Sequence, residues 1–379
     1  MNTTDVLVVG AGPTGLSLAA ALTSRGVQTT LVDALPEGSN TSRAAAVAAR
    51  TLEVLEDVDV SDRLVKHGAQ SRYFSIRDRD RVLMSLDFSV LPTSYPYTLM
   101  ISQADTERLL LDRLEELGGK VIRPKLLTAV RQDADRAVAT FDDGDEVRAR
   151  YVIGADGMHS AVRTAAGIGF RGHAYPELFA LADVRLTGDV PVDEILLFYA
   201  RAGLLVVAPL PGDIYRIVAP VPDAPRTPSR DFVQQILDAR GFGPARLVVT
   251  DVLWGSQFKI HHRVADSYRA GRLLLAGDAA HVHSPAGGQG MNLGITDAIS
   301  LAGALCEVVR GGSDAALDAY SASQRQRAQK VLALTGRLTR IATLPRPLRP
   351  IRNSGMRLAA RLPAVRRKLA LRLSGLSHQ

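Results

Sequence analysis

Apolar positions fall into two kinds of run along this chain. Short continuous runs at Asp5–Val9, Thr29–Asp33, Tyr151–Gly154 and Arg272–Ala276 have the signature of parallel strands buried on both faces. Runs spaced at three and four residues predict helices at Leu16–Arg25, closed by Gly26, at Ser42–Leu55, where the alanines of 44–49 favour helix, and at Asn292–Val309. Gln103–Leu117 is the clearest amphipathic helix, with Leu109, Leu110, Leu114 and Leu117 on one face and Gly118-Gly119 behind it. Residues 71–97 alternate as strands before Pro92 and Pro96, and strand signals recur at Val121, Val138 and Val147. From Gly172 to about Ile260 the pattern is mostly β, including Ile195–Tyr199, Leu204–Ala208 and Ile214–Ala219, punctuated by Gly203 and Pro211-Gly212. Parallel-strand runs stand at both ends of the body. The pattern therefore predicts an α/β fold with a discontinuous Rossmann-like nucleotide-binding domain (1–70, 98–171 and 261–330). A β-rich domain (71–97 and 172–260) is inserted into it, and two basic, Pro-punctuated helices occupy 331–379.

Composition changes this picture in three ways. With 46% hydrophobic and 22% charged residues among 379, the chain reads as an ordinary soluble enzyme without a secretory signal or membrane span. Cys306 is the single cysteine, so an intramolecular disulfide, a dithiol centre and a cysteine metal cluster are excluded, which fits the reducing cytoplasm. The net charge of +7 is uneven: eleven Lys and Arg and no acid follow Val331, and removing them leaves −4 on residues 1–330. No basic stripe interleaved with aromatics runs through the body, so nucleic acid is not an expected partner. In the tail, Val365, Leu369 and Leu373 share a face beside Arg366, Arg367, Lys368 and Arg372. Such a helix either rests on an anionic membrane or packs on the acidic body over the β-rich domain; the body's charge favours packing.

Three motifs carry chemistry. Gly10-Ala-Gly12-Pro13-Thr14-Gly15 follows a strand and opens a helix, with Asp33 at the end of the next strand. The glycines make a tight turn, admit a pyrophosphate to the backbone and bring helix and strand together; the acid can accept from a ribose. The motif alone does not separate FAD from NAD. The second motif, Tyr151–Arg163, ends a strand in Asp156-Gly157 and continues into a helix with Ser160 and Arg163. It is placed to meet a ligand, but Asp or Ser starting a helix is equally a cap. The third, Arg272–Ala298, holds Gly277-Asp278, His281, His283 and a glycine-rich loop before a long helix. Asp278 can hold a polyol hydroxyl, the loop can lie against a flat ligand, and the helix N-terminus suits an anionic ring. His281 and His283 are candidate bases, with a local structural role as the alternative.

In this order and spacing, from Asp5 to about Lys330, the motifs resemble those of the class A flavoprotein monooxygenases, the family of para-hydroxybenzoate hydroxylase and the aromatic polyketide hydroxylases. The resemblance implies non-covalent FAD, with Gly10, Gly12, Pro13, Thr14 and Gly15 on its pyrophosphate, Asp33 on the ribose and Gln103 as a further contact. It implies that Asp156, Gly157 and Arg163 serve FAD and a transient NAD(P)H, and that Gly277 and Asp278 meet the ribityl chain. Pro285, Gly287, Gly288, Gly290, Met291 and Asn292 would line the isoalloxazine, and Arg43 and Arg50 lie where the family supplies arginines. The implied reaction uses NAD(P)H and O2, through a flavin C4a-hydroperoxide, to hydroxylate an aromatic, phenolic or polyketide-like molecule, in biosynthetic tailoring or antibiotic inactivation. No catalytic base and no metal are implied. Tyr73, Phe74, Phe179, Phe198, Tyr199 and Trp254 are candidate substrate contacts, with core packing the plainer role for each. Epoxidation or Baeyer–Villiger oxygenation on the same fold, and a non-catalytic FAD-binding protein, are the alternatives; the lone Trp254 disfavours a halogenase. A monomer or homodimer is expected. The sequence departs from the family pattern where Asp33 replaces the commoner Glu, where Gly303-Ala304 replaces a Trp-Lys pair, where Ser323-Gln324-Arg325 replaces Glu-Arg, and where a basic tail stands in place of a thioredoxin-like domain.

Overall fold

The computed structural model describes residues 2–38, 44–284, 287–342 and 344–378. Its first sheet has eight strands. The apolar strand Asn2–Val9 lies between Thr29–Val32 and Glu146–Gly154, parallel to both, with Val6 opposite Tyr151 and Val9 opposite Gly154. Leu273–Leu275 extends the sheet beyond Glu146–Gly154, and Val121–Ile122 extends it beyond Thr29–Val32, both parallel. The strand order thus reverses at Asn2–Val9, making a crevice at its C-terminal end, where α/β sheets take their ligands. Val6, Leu7 and Val8 are wholly buried because helices and strands cover both faces. Pro13–Ser24 packs between Gln103–Glu116 and Gln289–Val309. Gln289–Val309 is long and apolar enough to cross a membrane, yet 72% of that stretch is buried as core.

The second sheet also has eight strands. Two 19-residue strands, Phe170–Gly188 and Leu247–Ala265, pair antiparallel along their length. Ile214–Val221, Gly203–Leu210, Glu194–Ala200, Tyr73–Asp78 and Arg81–Asp87 follow in order on one side, and His281–Val282 on the other. His281–Val282 comes from the third motif, so this strand joins the second sheet to the crevice of the first.

Three elements differ from the expectation. Residues 44–48 are not helical: Ala46–Val47 is a strand paired with Thr98–Met100, and the helix spans only Ala49–Leu55. Pairing overrides alanine's helix propensity here, because Asn292 ties down both the Ala46 carbonyl and the Ala48 amide. Within the β-rich stretch lies a helix, Arg230–Arg240, capped by Ser229 and burying Val233, Ile236 and Leu237. Ala315–Ala342 runs unbroken through Lys330, and only then come Arg349–Ala360 and Pro363–Leu373. These last two helices lie on the Arg81–Asp87 edge of the second sheet. Ala370 and Leu373 are buried there with Met84, Leu86 and Tyr199, and Arg352 donates to the Tyr199 carbonyl at 2.8 Å. Ile351, Leu358 and Leu362 remain exposed.

Candidate functional site

The three glycines of the first motif have different surroundings. A β-carbon on Gly10, at φ +102°, would stand 2.3 Å from the Ala155 carbonyl oxygen, and one on Gly15 would stand 1.8 Å from that of Gly10. These two positions are closed by backbone. Gly12 is different: it caps the helix Pro13–Ser24 at φ −75°, and a β-carbon there would meet nothing within 4 Å. The space beside Gly12 at the helix start is thus open, with Pro13 as the first helical residue, an arrangement that suits a phosphate. A dinucleotide pyrophosphate fits that cradle.

The other motifs converge on it. Thr14 packs against the third motif: its Oγ1 lies 2.5 Å from where a Gly277 β-carbon would be and 2.4 Å from that of Gly294. Ala155, just before Asp156, donates its amide to Val9 at 2.8 Å. Asp278 is exposed at the turn Gly277–Ala279, with Gly277 at φ +63°. Gly287 and Gly288 are both left-handed, at φ +83° and +64°, a turn that favours glycine before the helix begins at Gln289. Gln289 then donates to the Gly287 carbonyl at 2.7 Å and to the Leu373 carbonyl at 2.9 Å. Asn292 donates to Ala46 at 2.8 Å and Gly288 at 2.6 Å and accepts from Ala48 at 2.8 Å. Gly290 and Met291 sit in this first turn, with Met291 half-buried. Pro285 and Arg43 lie outside the described residues.

Several charged candidates are committed to the protein itself. Asp33 accepts from the Ala11 amide at 2.6 Å and the Leu35 amide at 2.8 Å. Asp156 accepts from Ala161 at 2.7 Å, while Ser160 accepts from Arg163 at 3.0 Å, so both cap the short helix Ala161–Ala165. Its other oxygen, Oδ1, is buried without a partner among the described residues, and burial raises its pKa. Gly157, at φ +77°, makes the turn between them. The Arg163 guanidinium donates to the carbonyls of Ala279 and Met158, both at 2.8 Å, and stacks on Phe170 at 3.9 Å. Gln103 bridges the Ala44 amide and Glu107. The Arg50 guanidinium pairs with Glu53 at 2.9 Å, while its amide donates to Ser374 at 3.1 Å.

The two histidines separate. His281 Nε2 lies 2.6 Å from Asp297 in a wholly buried pair. Burial opposes its protonation most strongly, yet the Asp297 carboxylate prevails and its pKa stands above the ordinary value. It anchors the turn, since Asp297 also accepts from the Gly277 amide at 3.3 Å. Burial pushes His283 down to about 4, so it is neutral; its Nδ1 bonds the Ser284 carbonyl at 2.8 Å. Its buried Nε2 has no partner among the described residues.

Phe198 and Tyr199 are core residues at 0% and 3% exposure, Phe198 against Phe242 and Tyr199 beneath Arg352. Phe74 packs against the same tail cluster, and Tyr73 stands exposed on the hairpin. Phe179 stacks on Phe258 at 5.5 Å. Trp254 lies 5.9 Å from a buried cation the pattern did not single out, Arg216. Arg216 pairs with Asp183 through two 2.7 Å hydrogen bonds and donates to the Ala44 carbonyl at 2.9 Å. Its signal was a charged pair in apolar strands, legible only once register sets Asp183 opposite Arg216. A cavity of about 520 Å³ lies elsewhere, between Val82, Ser85, Arg357, Leu358, Arg361 and Arg366.

A phosphate cradle, a polar turn and a glycine-led helix start, gathered where the order of a parallel sheet reverses, define a dinucleotide-binding α/β protein. The chain belongs to the FAD-binding domain family, matched over residues 3–335. It is 36% identical over 358 residues to 6-methylpretetramide 4-monooxygenase of Streptomyces rimosus, covering 92% of this chain and 64% of that protein. It is 34% identical to pentachlorophenol 4-monooxygenase of Sphingobium chlorophenolicum, over 86% of this chain and 63% of the relative. The chain thus spans somewhat under two thirds of these two relatives. Among solved structures it is similar to p-nitrophenol 4-monooxygenase of Pseudomonas putida, with a TM-score of 0.85 and 25% identity over 98% of both chains. The anhydrotetracycline hydroxylase of Streptomyces rimosus matches with a TM-score of 0.81 and 34% identity, over 99% of this chain and 76% of the other.

Proposed function

We propose that this chain is an FAD-dependent monooxygenase that uses NAD(P)H and O2 to hydroxylate an aromatic, phenolic or polyketide-like small molecule. The observation that carries the reading is the convergence of the open Gly12 helix start, the Gly277-Asp278 turn and the Gln289 helix start on one crevice. The names of the relatives, which include tetracycline-pathway, rifampicin and pentachlorophenol monooxygenases, support the substrate class.

Bound FAD supplies the redox and oxygen-activating chemistry. The chain's residues bind and orient it. Gly10, Gly12, Pro13, Thr14 and Gly15 hold the pyrophosphate, Asp33 and Gln103 serve the adenosine end, and Asp278 serves the polyol chain. Gly287, Gly288, Gly290, Met291 and Asn292 form the surface on which the ring rests. The start of Gln289–Val309 directs its positive end there, which favours an anionic reduced ring. Asp156 and Gly157 stand at the crevice, and Arg163 holds the Asp278 turn from beneath through Ala279. The second sheet covers the crevice and excludes water, with Phe179 and Trp254 as substrate contacts. In this reading, residues 1–70, 98–171 and 261–330 form the FAD-binding domain and 71–97 with 172–260 the substrate domain. The enzyme works in the cytoplasm as a monomer or homodimer.

The tail has a second reading. Burial of Ala370 and Leu373 supports packing, while exposed Ile351, Leu358 and Leu362 beside Arg357 and Arg361 favour a weak contact with an anionic bilayer.

The test is an absorbance spectrum of the purified protein, then anaerobic NADPH and NADH, then O2 with a panel of phenols and polyketides. Flavin bands that bleach and return, with 18O from 18O2 in a hydroxylated product, are expected. A protein that cannot be loaded with FAD refutes the reading. Reductant oxidation without oxygen insertion across the panel favours a non-catalytic FAD-binding protein, and lactone or epoxide products favour the other oxygenations.

A further inference from the structure

The arginines of the two tail helices divide into two groups. Arg349 and Arg352 are held by the protein, donating to the carbonyls of Leu344 at 2.9 Å and Tyr199 at 2.8 Å. Arg357, Arg361 and Arg366 are exposed, and none of them makes a hydrogen bond or ion pair among the described residues. Arg357 and Arg361 also stand one turn apart, a like-charge spacing that weakens a helix when nothing answers it.

All three line the cavity of about 520 Å³ between the tail helices and the edge strand Arg81–Asp87. The hydroxyl residues Ser85 and Ser354 line it too, and no acid does. The acids of the adjoining hairpin are engaged elsewhere: Asp78 with Asn353 at 2.9 Å, Asp80 with Arg246 at 3.7 Å and Asp87 with Ser89 at 2.6 Å. The protein thus supplies no countercharge to the cavity. Its rim is apolar. Leu358 and Val82 line it while 65% and 43% exposed. Exposed Leu362 follows Arg361, and exposed Ile351 shares the helix face of Leu358 two turns earlier.

A phosphate monoester brings roughly −1.5 to −2 charges at pH 7 and three terminal oxygens. Three planar guanidinium groups can meet those oxygens with paired N–H donors, whereas a diester, with one charge, leaves part of them unanswered. The apolar rim calls for a phosphate carried at a hydrocarbon surface. We propose that this cavity binds the phosphomonoester headgroup of an anionic lipid, with Arg357, Arg361 and Arg366 on the phosphate and Val82, Leu358 and Leu362 toward the acyl chains. The inference rests on the tail's second reading, contact with an anionic bilayer, to which it gives a site and a headgroup class; it does not depend on the FAD reading.

The test is flotation of the full chain, as purified, with phosphatidylcholine vesicles carrying phosphatidic acid or phosphatidylglycerol at matched surface charge. Wild-type protein should favour phosphatidic acid by about ten- to a hundredfold, the worth of an added hydrogen bond between charged groups. R357Q/R361Q should lose that preference, and about fivefold in binding for each arginine. R367Q/K368Q removes the same charge from exposed positions outside the cavity; it should bind less tightly and keep the preference. Matching thermal melts confirm that both variants are folded. A wild-type protein without the preference, or a preference reduced equally by the two variants, overturns the site and leaves a general attraction of a basic surface. Wild-type protein that floats with neither vesicle overturns the bilayer contact as well. Calorimetric binding of glycerol 3-phosphate that R357Q/R361Q abolishes, without binding to either vesicle, makes the ligand a soluble phosphate and overturns the lipid assignment.

Discussion

Substituting Gly12 by alanine separates a cofactor cradle from an ordinary turn. At φ −75° and ψ −175° the backbone at Gly12 suits any residue, and the added methyl meets no protein atom within 4 Å. The flavin-free protein should therefore be slightly stabilised, by about 0.4–1 kcal/mol, because the unfolded chain loses freedom. In a chain of this size that is roughly 0.5–1.3 degrees in Tm. With the pyrophosphate in that space, the methyl intrudes on a close contact. Overpacking of that kind costs about 1–3 kcal/mol, or roughly 5- to 150-fold in FAD affinity. Gly10→Ala is the contrasting variant. Its φ of +102° and the 2.3 Å approach to Ala155 put the strain in the protein, so the flavin-free form itself should melt lower. Thermal melts with and without FAD, and fluorescence titration, give both numbers. If Gly12→Ala binds FAD as tightly as wild type, the open space is not the phosphate's, and the reasoning from the glycine surroundings fails.

Other expectations follow from the same geometry. Leu373→Ala, which removes a buried side chain packed against Gly287, should cost about 2–5 kcal/mol in the tail's attachment and raise the FAD dissociation constant; limited proteolysis before and after FAD addition would report it. Arg216→Met leaves Asp183 without its partner and should lower stability by about 3–5 kcal/mol in urea denaturation, with Asp183→Leu in the same chain restoring most of the loss. For His283, burial holds the pKa near 4 while the unfolded chain titrates near 6.5. Its contribution to stability is thus complete above pH 6.5 and declines as pH falls toward 4, a slope that His283→Gln should flatten. His281 carries the opposite sign: its raised pKa gives stability present below 6.5 and lost as pH rises through the folded value. Melts of His281→Gln across pH 6–9 should lack that loss, and an unchanged slope would argue against the ion pair with Asp297.

What was legible in the chain was what periodicity and glycine spacing record. The buried parallel strands lie where apolar runs placed them, and the long helix after the third motif begins three residues before Asn292. Local signals failed where distant partners decide. Ala46 and Val47 have helix-favouring neighbours, but the distant strand Thr98–Met100 pairs with them and Asn292 fixes them. The Arg230–Arg240 helix was hidden in a β-rich stretch despite its Ser229 cap. The roles of Arg163, His281 and Arg216 depend on what each side chain reaches across the fold, which spacing does not encode.

The order in which the chain is made has a consequence for when cofactor can enter. Asn2–Val9 is among the first segments synthesised, but its neighbour Glu146–Gly154 and the next strand Leu273–Leu275 follow much later. At about 5–20 residues per second, the third motif leaves the ribosome roughly 14–55 seconds after the first. Until Glu146–Gly154 emerges the apolar first strand has one edge unpaired, and until Leu273–Leu275 emerges Glu146–Gly154 has one, so an exposed strand edge persists through most of synthesis. Asn292 joins Ala46 and Ala48 only after more than 240 residues have intervened. Flavin loading is therefore a late event in the life of each molecule, and cells short of FAD will accumulate complete but unloaded chains rather than stalled ones.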